Sequence, residues 1–179
     1  PAQPDLKQLI AGLNFKRQIP KVQTYEEYFR REETCYSCVP VPKPSLYMAL
    51  PASKYDQYMD DALNSPESSS YISPRMSAWK SQYIQRPLVR IPQEEIVFRT
   101  QINRVLPNDA NIPAFLAVNR SLYEKARDLG GIRLTTSAIP FQPEDWIRHY
   151  GPAWEKFEQA KHTYDPKNIL GTSHNMFTF

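Results

Sequence analysis

Glycine is scarce in this sequence, which has five glycines against seventeen prolines among its 179 residues. Neither G-x-G-x-x-G nor G-x-x-x-x-G-K occurs in it. Loops of these two kinds bind phosphates through glycines, because the backbone must approach the phosphate closely. The sequence therefore argues against a glycine-rich phosphate loop within this chain.

Long apolar runs and clusters of charge of one sign are also missing. No apolar run reaches the roughly 18 residues that a membrane span requires, and the first residues do not resemble a signal peptide. The formal net charge is only +3, and Arg30-Arg31 is followed at once by Glu32-Glu33. We therefore expect neither a membrane nor a nucleic acid as partner. The cellular compartment stays open.

Cysteine occurs only twice, as Cys35-x-x-Cys38. A structural zinc site needs four ligands, and the sequence has no second pair, while His149, His162 and His174 lie far along the chain. A redox-active pair would begin a helix, but the prolines that follow Cys38 prevent one there. We interpret the pair as two unreactive thiols in a turn and predict no metal site.

The patterns that are present predict alternating helices and strands. "TYEEYFRREE" begins with a capping box, Thr24 and Glu27, and "SLYMALP" predicts a strand followed by a helix with Ser53 as its N-cap. "LVRIPQEEIVFRTQINRVLP" predicts two strands around a solvated turn that contains Glu94-Glu95. "IPAFLAVNRSLYEKARDLGG" is the clearest helix, and we predict that Gly130-Gly131 ends it. "IRLTTSAI" predicts another strand.

The closing part predicts a helix from Pro143, an interruption at Gly151-Pro152 and a second helix. Together these elements predict an α+β fold, an antiparallel sheet covered by helices on one face. Asp165-Pro166 then requires a turn, and the tail that follows carries several hydrogen-bonding side chains. Chemistry alone leaves two readings of the tail: it packs on its own sheet, or it reaches another polypeptide.

The closing stretch "PEDWIRHYGPAWEKFEQAKHTYDPKNIL" resembles the end of FAD-linked oxidases of the vanillyl-alcohol-oxidase superfamily, in their cytokinin dehydrogenase-like branch. Three earlier stretches resemble segments of the same branch in the same order: "VQTYEEYFRRE", "PSLYMALPAS" and "PLVRIPQEEIVFRTQINRVLP". The resemblance implies that residues 1–142 are the late part of a substrate (cap) domain. It implies that residues 143–179 are a C-terminal segment that returns to an FAD-binding domain.

The resemblance also implies a function and its partners. The chain would be the C-terminal half of a FAD-dependent oxidoreductase that oxidises an amine or alcohol, a small-molecule substrate, by hydride transfer to flavin. FAD would be bound mainly by a part outside this sequence, either a missing N-terminal half or a companion FAD-binding polypeptide. The catalytic acid of the family lies in that part, so we assign no catalytic residue, and the chain alone would not catalyse the reaction.

Four residues of this chain take candidate roles from the resemblance. Ser45 and Tyr47 stand where the branch places the Trp and Asn of a Pro-Trp-Leu-Asn motif around the substrate. His174 stands where it places a flavin-contacting Gln, and Asn175 is the next residue. We therefore predict substrate binding by Ser45 and Tyr47, and cofactor binding by His174 and Asn175.

Two other functions remain open at this point. One is a stand-alone ligand- or protein-binding module that keeps the same fold and has no flavin. The other stays within the superfamily, with an aromatic alcohol or a hydroxy acid as the substrate. A hydrolase triad is disfavoured, because neither Ser45 nor Ser173 has an adjacent base.

Overall fold

A computed structural model describes residues 24–27, 40–64, 72–86, 88–170 and 174–177, without the side chains of residues 72–74. The chain divides into two compact units, Pro1–Pro40 and Val41–Phe179. In the first unit the predicted capping box is confirmed: the Thr24 amide donates to Glu27 Oε2 at 2.7 Å, and the Glu27 amide donates to Thr24 Oγ1 at 3.2 Å. The cysteine pair lies outside the described residues.

The second unit is built on a four-stranded antiparallel sheet with the order β2-β3-β1-β4. Its strands are β1 (Leu46–Pro51), β2 (Ile72–Lys80), β3 (Ile96–Arg104) and β4 (Ile132–Arg133). Four helices accompany it: α1 (Tyr55–Leu63), α2 (Ile112–Asp128), α3 (Pro143–Tyr150) and α4 (Trp154–Tyr164). Short 3-10 turns occupy Ala52–Lys54, Ser81–Tyr83 and Gly151–Ala153. The predicted α+β fold is confirmed.

The ends of α2 show why its sequence forms a helix. The Asn111 side chain accepts a hydrogen bond from the Ala114 amide at 3.3 Å, and Pro113 sits in the first turn, where its missing N–H costs nothing. At the other end Gly130 has a φ of +82°, a left-handed conformation that side chains disfavour. The predicted glycine stop is therefore confirmed.

One face of the sheet forms the core, and we call it the packed face. Side chains alternate along a strand, so Leu46, Met48 and Leu50 of β1 lie on this face, together with Ile102 of β3. They are fully buried in a cluster with apolar side chains from all four helices. Burial of each such side chain stabilises the fold by about 1.5–3 kcal/mol.

The helices reach the packed face through specific side chains. From α1, the Tyr55 ring lies 4.7 Å from the ring of Phe98 on β3. From α2, Asn119 is buried, accepts from Arg104 Nε at 3.3 Å and donates to the carbonyls of Pro44 and Ala138. This buried amide therefore joins α2 to β3, to the residue two positions before β1 and to the segment that follows β4.

The opposite face, which we call the Tyr47 face, is polar and aromatic. The register places Tyr47 opposite Gln101, Ala49 opposite Arg99, and Trp79 opposite Val97. Ala49 and Val97 are fully buried, whereas the longer side chains above them are half-buried. The small side chains at the base of this face are therefore inaccessible to solvent, whereas the longer ones are partly accessible.

Two local predictions are wrong. Residues 88–91 do not form a strand, and the partner of β3 is instead β2, in which Pro74 lies opposite Ile102. Ser53 is not a helix N-cap, because it lies in the 3-10 turn before α1 and its hydroxyl and amide both donate to the Glu94 carboxylate. Those hydrogen bonds lower the pKa of Glu94, so this residue is more than a solvated turn position.

Candidate functional site

Ser45 and Tyr47, the two predicted substrate-binding residues, have different environments. Ser45 precedes β1 and is only 4% exposed, and its hydroxyl accepts a hydrogen bond from the Arg104 amide at 3.2 Å. Tyr47 is half-buried on the Tyr47 face, where its hydroxyl donates to Asn103 Oδ1 at 3.3 Å. Of the two hydroxyl groups, that of Tyr47 lies on the more accessible surface. Substrate binding by either residue stays a prediction.

Side chains from neighbouring strands surround Tyr47. The Arg99 guanidinium carbon lies 5.9 Å from the centre of the Tyr47 ring and 5.9 Å from that of Trp79. A cation over aromatic faces is attracted by their π electrons, and this attraction holds the arginine against the sheet. The arrangement places the positive charge of Arg99 between two aromatic rings and beside the Tyr47 hydroxyl, which suits a planar, polar ligand.

Ser137 fixes the backbone of Tyr47. β4 has only two residues instead of the eight-residue strand that "IRLTTSAI" predicted, yet the pairing with β1 continues beyond it. The Ser137 hydroxyl accepts from the Tyr47 amide at 2.9 Å and donates to the Tyr47 carbonyl, so one side chain replaces a strand residue. A serine hydroxyl can make both bonds because it is at once a donor and an acceptor.

His174 and Asn175, the two predicted cofactor-binding residues, are both exposed beside α3. The His174 carbonyl accepts a hydrogen bond from Trp146 Nε1 at 3.0 Å, and its ring lies edge-on to the Trp146 ring at 6.1 Å. Asn175 has a φ of +52°, a left-handed conformation that asparagine tolerates better than most residues. The backbone is thus held while the two side chains remain accessible. Their cofactor role stays a prediction.

The turn before this tail forms as the Asp165-Pro166 pair predicts. The Asp165 carboxylate accepts from the amides of Ile169 and Leu170 at 2.8 and 2.9 Å and pairs with Lys161. The hydrogen bond from Lys161 is the main reason that the pKa of Asp165 lies below its ordinary value. Ile169 and Leu170 are 77% and 68% exposed, so the turn presents two apolar side chains to solvent.

Beyond the turn, the end of the chain packs on its own helices. The Phe177 ring stacks on Trp154 with ring centres 5.2 Å apart and meets Phe157 at the same distance. Side chains of α3 and α4 and the Phe177 ring thus share one hydrophobic cluster with the sheet. The predicted return of residues 143–179 to an FAD-binding domain stays a prediction, and its accessible part is the exposed Ile169-Leu170 and His174-Asn175.

The structure does not bring the two predicted pairs into one cluster. The polar and ring contacts of Tyr47 go to β3 and to Ser137, whereas those of His174 go to Trp146. Arg99 and Trp79, which lie beside Tyr47, are not predicted as site residues by the sequence. Arg99 alternates with buried residues of β3, which indicates the face but not the partner, and Trp79 lay in a segment that was not predicted as a strand.

A metal site and a membrane-spanning helix are both absent from the part of the chain that the structure describes. It contains no group of three or more His, Cys, Asp or Glu side chains that could hold a metal ion. None of its helices is both long enough and apolar enough to cross a membrane.

Comparison with known proteins gives consistent matches. A family model described as "Cytokinin dehydrogenase 1, FAD and cytokinin binding" matches residues 8–177. An uncharacterized oxidoreductase, ORF5 in the fasciation locus of Rhodococcoides fascians, is 32% identical over 143 residues, which cover 75% of this chain and 31% of that protein. Cytokinin dehydrogenase 3 of Arabidopsis thaliana is 27% identical over 147 residues, covering 76% of this chain and 27% of that protein. The chain thus spans less than a third of these relatives.

Proposed function

This chain belongs to the cytokinin dehydrogenase family, and we propose that it forms a C-terminal, substrate-facing part of an FAD-dependent oxidoreductase. The resemblance predicted from the closing stretch is confirmed by the family match. In our proposal the complete protein oxidises an amine or an alcohol by hydride transfer to flavin. FAD supplies the hydride acceptor, and the residues of this chain bind and orient the substrate.

The Tyr47 face is the observation that supports this proposal best. The described side-chain contacts between helices and sheet lie on the packed face, and Tyr47, Trp79 and Arg99 on the other face are only half-buried. Tyr47 and Trp79 offer ring faces, and the Arg99 guanidinium and the Tyr47 hydroxyl offer hydrogen bonds beside them. Aromatic rings with polar groups at their edges can stack on a planar ligand and form hydrogen bonds to it.

The tail supports a second part of the proposal, its contact with an FAD-binding body. We propose that Ile169 and Leu170 dock on that body, because two large apolar side chains are otherwise unfavourable in water. His174 and Asn175 then lie nearby and can donate hydrogen bonds to oxygen atoms of the flavin or its pyrophosphate. The companion is either the rest of the same polypeptide or a separate subunit.

A stand-alone binding module without flavin is the second candidate. The packing of Phe177 on Trp154 favours it, because this contact closes the apolar cluster with a residue of the chain itself. The substrate alternatives within the family, an aromatic alcohol or a hydroxy acid, would use the same Tyr47 face.

Absorption spectroscopy combined with intact-mass measurement distinguishes the part of a flavoprotein from the stand-alone binding module. We expect the natural polypeptide or complex that contains these residues to show visible flavin bands and a mass well above that of the 179-residue chain. The 179-residue chain produced alone should be colourless and should not oxidise amines or alcohols. A colourless natural protein of this mass, monodisperse and without a companion, would support the binding module instead.

A further inference from the structure

Arg133 is a buried arginine that forms no salt bridge within the described part of the chain. The residue is 4% exposed, and its guanidinium carbon lies 4.4 Å from the ring centre of Phe141 and 4.5 Å from that of Trp146. Nη2 donates to the Ser137 carbonyl at 3.0 Å, whereas Nε and Nη1 are buried without a hydrogen-bond partner. Unmade hydrogen bonds of a buried cation are costly, so these two nitrogens need an acceptor.

A cavity of about 130 Å³ adjoins Arg133 at the β4 edge of the sheet. Three other arginines line it: Arg90 from the segment before β3, Arg127 from α2 and Arg148 from α3. His149 lines it as well, and burial, with Arg133 and Arg90 nearby, lowers the pKa of His149 to about 4, so this ring is neutral at pH 7. The lining therefore holds four cations and no carboxylate.

Nearby carboxylates leave part of this charge uncompensated. Arg127 pairs with Asp128 at 2.8 Å, and Arg148 lies 3.8 Å from an oxygen of Asp145. Both oxygens of Asp145 already accept hydrogen bonds from Arg120 on the other side. Arg90 resembles Arg133 in having a buried Nε without a partner. Among the described residues, Arg90 and Arg133 thus border the cavity without a salt bridge to a carboxylate.

We propose that this cavity, the Arg133 cavity, binds one small oxyanion, a carboxylate or a phosphate group. Guanidinium groups are the protein donors best suited to both, because their N–H groups match the spacing of two oxygens. The volume is well below the 300–1,000 Å³ typical of drug-sized ligands, and it suits a single acidic group. The site is on the packed side of β4 and is separate from the Tyr47 face, because Arg133 lies opposite Met48.

Calorimetric titration of the 179-residue chain at pH 7 and constant ionic strength tests the proposal, with sodium phosphate and sodium acetate as probes. We expect one equivalent to bind. Arg133→Met, which keeps an unbranched apolar side chain and removes the guanidinium, should weaken the affinity at least about tenfold. Lys125→Gln removes one positive charge from α2 outside the cavity and should change the affinity less than about twofold.

A second variant keeps the test decisive if Arg133→Met does not fold. Arg90 lies outside the helices and strands, and Arg90→Gln should weaken binding by about threefold or more while leaving the melting temperature unchanged. Binding of phosphate alone would identify a phosphate group as the ligand chemistry, and binding of both probes would identify any small oxyanion. Absence of binding by the unsubstituted chain, or equal affinities in the Arg90 variant and the Lys125 control, would overturn the proposal.

Discussion

The two faces of the sheet use the same strands for different purposes. On the packed face, the residues of β1 are aliphatic, fully buried and covered by helices. On the Tyr47 face, alternate residues of the same strands carry rings and a guanidinium that remain half-buried. Because successive residues of a strand point to opposite faces, one residue contributes to the stability of the core and the next can contact a ligand. Substitutions on the packed face should cost stability, and substitutions on the Tyr47 face should cost function.

The largest expected effect comes from two tryptophans. Trp146 is 1% exposed at the centre of the cluster on the packed side, and Trp146→Ala should lower the free energy of unfolding by about 3–5 kcal/mol. Trp79→Ala on the Tyr47 face is the matched control and should cost about 1 kcal/mol or less. Denaturant unfolding of both variants measures the difference. Equal losses would show that the Tyr47 face is as much a part of the core.

The next effect concerns the link between α2 and α3. The Asp145 carboxylate accepts two hydrogen bonds from Arg120 and one from the Gln142 amide at 3.0 Å. Burial raises the pKa of Asp145, but these hydrogen bonds outweigh it and the pKa lies below its ordinary value. Asp145→Asn should cost about 2 kcal/mol at pH 7. The exposed Asp60→Asn should stay within about 0.5 kcal/mol.

The pH dependence of this effect has a definite sign. A carboxyl group with a lowered pKa in the folded state stabilises the fold above its unfolded pKa, near 3.9, and this contribution is lost as the pH falls through the folded pKa. The difference in stability between the unsubstituted chain and Asp145→Asn should therefore shrink below about pH 4. A constant difference between pH 7 and pH 2 would contradict the role of the charge.

The smallest stability effects come from two tyrosines. The Tyr58 hydroxyl is buried on the packed side without a partner, so Tyr58→Phe should stabilise the fold by up to about 1 kcal/mol. Tyr47→Phe should leave stability within about 0.5 kcal/mol. In the flavin-containing protein, Tyr47→Phe should lower kcat/KM by about three- to tenfold, and Tyr58→Phe should leave it unchanged. Unchanged turnover in the Tyr47 variant would remove this hydroxyl from substrate binding.

Local signals in the sequence predicted the elements that rest on local rules. The capping box at Thr24, the glycine stop after α2 and the turn at Asp165 all depend on residues close in the chain. The strand β2 was missed because Pro74 and its polar neighbours resemble a loop, and a proline is tolerated there because β2 lies at an edge of the described sheet.

Residues that depend on distant neighbours could not be predicted. Arg133 is typical of an exposed strand position in "IRLTTS", and only the folded positions of Phe141 and Trp146 bury it. The surroundings of Tyr47 likewise require Arg99 and Trp79 from two other strands. The resemblance to a known family gave the candidate site positions, whereas tertiary packing determines which side chains from other elements contact them.

The nearly parallel rings at the end of the chain have an optical consequence. Trp146 and Tyr150 are inclined by 17°, Tyr150 and Trp154 by 29°, and Trp154 and Phe177 by 25°, with successive centres 5.2–6.2 Å apart. Chromophores held this close in a fixed order couple their transitions and give a strong near-ultraviolet circular dichroism that vanishes when packing loosens. The near-ultraviolet circular dichroism of the protein therefore reports whether α3 and α4 are packed in their native arrangement.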